Sequence, residues 1–197
     1  MEFSIKQSNP DSVKSGCVVV GVFEGGKLSA AAQVIDKAAK HALSDLIARG
    51  DMSGKSATTL LLHKLPGIVA ERVLLVGLGK PAELNNKVSL EILGATFKAL
   101  NGTPAKDAAL YIVDEGVGKD AAWVVKQAVF TAAEQEYCGG RRDPVPHYAA
   151  RFAAKEAFLK ALGTGWAGGI RWQDVEILRE PGATPIVRVH GLAATIA

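Results

Sequence analysis

Arg72-Val73-Leu74-Leu75-Val76-Gly77 (RVLLVG) places four large apolar side chains in a row. Successive side chains of a strand point to opposite faces, so an unbroken apolar run belongs to a strand covered on both sides. Cys17 to Val22 (CVVVGV) and Thr58 to His63 (TTLLLH) read the same way, and Ala108 to Val113 (AALYIV) is a fourth strand. Glu2 to Lys6 reads as a short edge strand, broken by Asn9-Pro10-Asp11. Between the strands the period changes. Ser29 stands at an N-cap position, and Ala30 to Arg49 reads as one long helix closed by Gly50, with Ala31, Val34, Ile35, Ala38, Ala42, Leu43 and Leu46 on its buried side. Val88 to Leu100 is a helix stopped by Asn101-Gly102, and Ala121 to Cys138 reads as another, continuous one. Strands alternating with helices at this spacing predict an α/β layered sheet.

Composition narrows the class. The chain has 197 residues, enough for one or two small domains, and 48% hydrophobic with 22% charged residues suits a packed core. No apolar run reaches membrane-spanning length and no secretory leader pattern opens the chain, so a cytoplasmic protein is expected, with no membrane partner. Cys17 and Cys138 stand alone, without the spacing of a zinc site or a disulfide framework. The net charge of +3 lacks the basic bias that would itself argue for nucleic acid. Gly77-Leu78-Gly79-Lys80 follows a strand but has the spacing of neither phosphate-binding glycine motif, and reads as a turn. The four histidines form no HExxH pair.

Chemistry concentrates in Arg151 to Gly165 (RFAAKEAFLKALGTG). Ala150, Ala153, Ala154, Ala157, Phe158, Ala161 and Leu162 make an apolar stripe at helical spacing, with Arg151, Lys155, Glu156 and Lys160 beside it. Glu156 and Lys160, four apart, share a helix face, and Gly163-Thr164-Gly165 ends the helix. Pattern alone favours an amphipathic helix with an ion pair and a glycine cap. One carboxylate, three cations and a glycine turn also suit a divalent metal with a phosphate-bearing ligand.

The wording of this stretch adds to its pattern. Together with VFTAAEQEYC (129–138), His147 to Ala150, IRWQDVEI (170–177) and PIVRVHG (185–191), it resembles holo-acyl-carrier-protein synthase, a 4'-phosphopantetheinyl transferase, over residues 129–197. The resemblance implies transfer of the phosphopantetheine arm of coenzyme A to a serine of acyl carrier protein, with Mg2+. It assigns Glu156 and Lys160 as catalytic residues, Glu156 as the metal ligand, and Arg151, Lys155, Lys160, Gly163, Thr164 and Gly165 as coenzyme-binding residues. The family's second metal ligand, an aspartate in an amino-terminal Gly-x-Asp segment, has no match here, nor has the family's last helix and strand. Impaired activity is therefore expected. The resemblance further implies a helix followed by short antiparallel strands, Trp172 to Leu178 with Ile186 to His190, turning at Glu180-Pro181-Gly182.

Residues 1–128 resemble a different family. CVVVGVFE (17–24), Gly54-Lys55, TTLLLHKLP (58–66) and ERVLLVGLGK (71–80) are similar to the amino-terminal domain of leucyl aminopeptidases. That resemblance implies a macro-like α/β domain without the peptidase metals, acting in homo-oligomer formation and, in some members, DNA binding. Two domains, 1–128 and 129–197, are thus expected, joined inside a helical stretch with no linker chemistry. Such a join suggests a chimeric frame, and a hybrid without a selected function is the third reading beside transferase and scaffold.

Overall fold

A computed structural model describes residues 8–113, 120–163, 170–180 and 182–197. The candidate edge strand at Glu2 to Lys6 lies outside them. The chain is mixed α/β and divides into two compact units at Val124/Val125, inside a helix.

The first unit is built on β1 (Val18–Phe23), whose residues alternate between two apolar layers. One side of β1 pairs in parallel with β4 (Arg72–Gly79), and β4 pairs antiparallel with β3 (Thr59–His63). The other side of β1 is shared by the two-residue strands β2 (Lys27–Leu28) and β5 (Ala109–Leu110). The run RVLLVG, extended to Gly79, is buried on both faces after its first residue, as a central strand should be. Leu74, Val76 and Leu78 pack with Ile92 and Leu93 of α3 (Asn86–Asn101), while Val73 and Leu75 pack with Ala32 and Ile35 of α1 (Ala30–Ala38).

The long helix expected over Ala30–Arg49 is two helices. Lys40 and His41 take left-handed backbone angles, φ 55° and 66°, between α1 and α2 (Ala42–Ala48). The cause is Asp36, buried at 5% exposure. In a straight helix its carboxylate would lack donors. The kink brings the Ser44 amide to 2.9 Å, the Ser44 hydroxyl to 2.6 Å and His41 Nδ1 to 3.1 Å. Burial pulls the Asp36 carboxyl up, and these donors outweigh it and hold it below the ordinary aspartate value.

The continuous helix expected over Ala121–Cys138 also breaks, into α4 (Ala121–Val129) and α5 (Ala132–Gly139). Thr131 caps α5, accepting from the Glu134 amide, while the Glu134 carboxylate accepts from the Thr131 amide at 2.8 Å. This is the capping box spelled by Thr131-Ala-Ala-Glu134.

The second unit continues with α6 (Val145–Ala161), the hairpin β6 (Val175–Leu178) and β7 (Ile186–Val189), and α7 (Gly191–Ile196). The hairpin is antiparallel, in the register Val175 to Val189 and Leu178 to Ile186. Trp172–Asp174 forms a 3-10 turn instead of the expected strand start. The Asp174 carboxylate takes the Arg171 amide at 3.0 Å and the Arg171 guanidinium at 2.7 and 3.0 Å, which closes the turn. Pro181 of the expected hairpin turn lies outside the described residues, and Gly182 sits there at φ 78°. The core of this unit joins Val129, Phe130, Leu159, Ile170, Trp172, Val175 and Ile177.

Candidate functional site

In the first unit, Gly77 to Lys80 forms no phosphate cradle. The Gly77 amide donates to the Thr58 carbonyl at 2.8 Å and the Gly79 amide to the Gly54 carbonyl at 2.9 Å, so these donors are spent within the chain. A side chain at Gly77 would collide with the Lys55 carbonyl. The loop 54–58 therefore fills the space beside this strand end.

The candidate residues of the second unit lie on α6, and that helix is turned differently from the expected amphipathic reading. Ala150, Ala153, Ala157 and Ala161 face solvent. The buried positions are Arg151, Lys155 and Leu159, one helical stripe of i, i+4 and i+8. The alanines lose that contest because Lys155 meets three acceptors in the interior. Its ammonium lies 2.7 Å from Glu134 Oε2, 2.9 Å from the Val129 carbonyl and 3.0 Å from the Trp172 carbonyl. A lysine has three N–H donors, and all three are used. Burial pushes the Lys155 ammonium below its ordinary value, and the Glu134 carboxylate only partly restores it.

Glu134 is as buried as its partner and carries a further load. Its Oε1 accepts the Ile177 amide at 2.9 Å, so one carboxylate ties α5, α6 and β6. Next to it, Glu176 Oε1 accepts from the Thr131 hydroxyl at 2.7 Å and Oε2 lies 3.0 Å from His190 Nε2. Burial raises the Glu176 carboxyl, and the Thr131 and His190 hydrogen bonds overcome it, leaving it below the ordinary glutamate value. A polar chain thus runs from Lys155 through Glu134, Thr131 and Glu176 to His190.

Glu156 and Lys160 stand on the outer side of α6, paired at 3.0 Å and partly solvated. The Lys160 ammonium, by hydrogen bond and charge, holds the Glu156 carboxyl below its ordinary value. Arg151 is 6% exposed and its guanidinium stacks on the Tyr137 ring at 4.1 Å, where Arg141 also stacks at 4.0 Å. Arg151 and Tyr137 line a hollow of about 490 Å3 with Ile177, Arg179, Ile186 and Arg188. Gly163, at φ 71°, follows the helix end, and Thr164 and Gly165 lie outside the described residues. The structure thus separates the candidates into an outer pair, Glu156 and Lys160, and an inner pair, Arg151 and Lys155.

Sequence reasoning missed Glu134, Thr131, Glu176 and His190. The Thr131-x-x-Glu134 spacing was the available signal for the first two. Glu176 and His190 carried none, because their meeting depends on the hairpin register. Among the described residues no group of three or more His, Cys, Asp or Glu side chains converges as a metal cage. Among them, too, no helix is long and apolar enough to cross a membrane.

Two family models match the chain. The model of the cytosol aminopeptidase family, N-terminal domain, matches residues 19–141, and that of the 4'-phosphopantetheinyl transferase superfamily matches residues 118–197. Similar curated proteins include the probable cytosol aminopeptidases of Nitrosomonas europaea, 49% identical over 138 residues, Idiomarina loihiensis, 46%, and Tolumonas auensis, 44%. Each alignment covers 70% of this chain and 28% of the relative, so the chain spans little more than a quarter of their length. Since the first model takes in well over half of its residues, the chain belongs to the cytosol aminopeptidase family, through the N-terminal domain of that family.

Proposed function

We propose that residues 129–197 form a domain that presents the Glu156 half of a 4'-phosphopantetheinyl transfer site, with coenzyme A as donor and acyl carrier protein as acceptor, and that it transfers the arm feebly. The observation that carries this reading is the outer Glu156–Lys160 pair on a helix whose opposite side is locked by Lys155. The superfamily match over residues 118–197 supports it. Lys160 has the charge and reach to neutralise a coenzyme phosphate. Lys155, with every donor engaged, holds the helix and leaves phosphate contact to its neighbours. By the superfamily resemblance Gly163, Thr164 and Gly165 would also contact the coenzyme, and of these Gly163 follows the helix end at φ 71°.

Mg2+ is commonly held by one or two carboxylates, with water and substrate phosphates completing its shell. Glu156 is a solvent-facing carboxylate held in its ionised form, so the donor fits such a shared site in kind. When bound, the metal offsets the charge of the phosphates during transfer. With Glu156 the single candidate carboxylate of such a site among the described residues, slow transfer is expected. Titration of coenzyme A into the chain by calorimetry tests the site. Binding is expected to weaken in Lys160→Ala, and its Mg2+-dependent part is expected to vanish in Glu156→Ala. Binding that ignores both substitutions contradicts the reading.

A second reading concerns the aminopeptidase-type unit, a macro-like domain in which we see a scaffold that brings copies of the chain together. The family match over residues 19–141 favours it. Sedimentation velocity is expected to show a homo-oligomer, and a monomer at all concentrations contradicts it. DNA binding by this unit has no support beyond the family resemblance.

A further inference from the structure

β7 is the unfinished edge of its small sheet. On the partner strand, the outward amide of Ile177 is taken by the Glu134 carboxylate at 2.9 Å, which closes that edge. Ile177 stands opposite Val187, and one end of the ladder is fixed by the His190 amide donating to the Asp174 carbonyl at 2.7 Å. In an antiparallel pair, ladder-bonded and non-bonded residue pairs alternate. Ile177 and Val187 are therefore a non-bonded pair, and the Val187 amide and carbonyl point away from β6. Among the described residues nothing takes them. Ile186 and Val187 are 54% and 46% exposed, so this open edge is also apolar. An unprotected apolar edge of this kind is a template for an added strand.

The two faces of the hairpin differ in chemistry. Arg188 and Ile186 stand opposite Glu176 and Leu178 on one face, and Val187 and Val189 stand opposite Ile177 and Val175 on the other. The Arg188 face opens on the hollow that also holds Arg151, Arg179 and one carboxylate, Glu180. Arg188 stands opposite Glu176 and its charge acts on that carboxylate, so three guanidinium groups meet two carboxylates, Glu180 and Glu176, and Arg151 Nε is buried without a hydrogen-bond partner among the described residues. Positive charge is in surplus there. An incoming strand would meet cations on one face and valines on the other.

We propose that the β7 edge binds an extended segment of an acidic protein partner as a third strand, with acidic side chains on the Arg188 face alternating with apolar ones on the Val187 and Val189 face. The main chain supplies affinity and the alternation supplies selection. The hollow shares Arg151 with the coenzyme-binding candidates, whereas Val187 and Arg188, the residues varied below, are not among them, so the test stands apart from transfer activity.

The test uses the full chain and three dye-labelled octapeptides, read by fluorescence anisotropy. One alternates valine and glutamate, one has the same composition in two blocks, and one alternates valine and lysine. The alternating glutamate peptide is expected to bind about tenfold more tightly than either other, with the difference shrinking in high salt. Val187→Pro removes an outward amide and no ladder bond. It is expected to weaken binding about tenfold with the circular dichroism unchanged. Arg188→Gln is expected to erase the preference for glutamate over lysine, and it decides the matter should Val187→Pro fail to fold. Equal binding of the three peptides, no binding, or indifference to both substitutions overturns the proposal. Self-association of the chain that Val187→Pro abolishes also overturns it, since the occupant is then a second copy.

Discussion

Lys155 is the residue at which sequence pattern and structure part most sharply. Five alanines nearby offered a plausible buried face, and a lysine belongs by default on the outside. Burial wins because the Glu134 carboxylate and two carbonyl oxygens match its three donors at 2.7 to 3.0 Å. None of those acceptors is near Lys155 in sequence, so periodicity had no access to them. Removing one partner of such a pair strands the other without compensation. Lys155→Met is therefore expected to cost about 3–5 kcal/mol of unfolding free energy in urea titration. Adding Glu134→Gln should recover part of that loss, because it removes the stranded buried charge, while its single carbonyl oxygen keeps only one of the Thr131 and Ile177 amides that the two carboxylate oxygens accept. A single substitution that costs less than the double one contradicts this account. Glu156, by contrast, was legible: the i, i+4 spacing to Lys160 needs only the helix, and the pair forms at 3.0 Å. Glu156→Ala is expected to leave the melting temperature essentially unchanged, which a thermal scan checks.

At the scale of elements, existence and type were readable and continuity was not. The apolar runs of β1, β3 and β4 fall where their sequences put them, because a strand buried on both faces leaves an unbroken signature. Ala108 to Val113 carries the same signature yet only Ala109–Leu110 pairs, since the far end of β1 is taken by β2. Both long helices break at polar residues whose demands outrank local propensity, Asp36 in one and Thr131 with Glu134 in the other. The Asp36 joint makes a pH prediction. Its carboxyl lies below the ordinary value in the folded chain, so the unfolded chain binds the proton more tightly. The stabilisation is then complete above the unfolded aspartate value of about 3.9 and is lost as pH falls through the lower folded value. Asp36→Ala is expected to cost about 1–3 kcal/mol at neutral pH. The gap between the parent and Asp36→Asn should shrink in acid. A gap that stays constant from neutral pH to pH ~2 contradicts the assignment.

For the whole molecule, two family matches overlap on residues 118–141, and the division between the compact units falls in that overlap. The mixed α/β class and both resemblances were legible from ordered segments spread along the chain. The interior network of the second unit was not, because it is assembled from side chains up to 45 positions apart, as Thr131 and Glu176 are. The account's central claim is that the outer Glu156–Lys160 pair still supports transfer, slowly. Intact-mass spectrometry of apo acyl carrier protein, incubated with the chain, coenzyme A and Mg2+, tests it most directly. The account predicts a slow gain of one phosphopantetheine mass that is absent with Glu156→Ala. No gain with either chain at high protein concentration, or an equal gain with both, contradicts it.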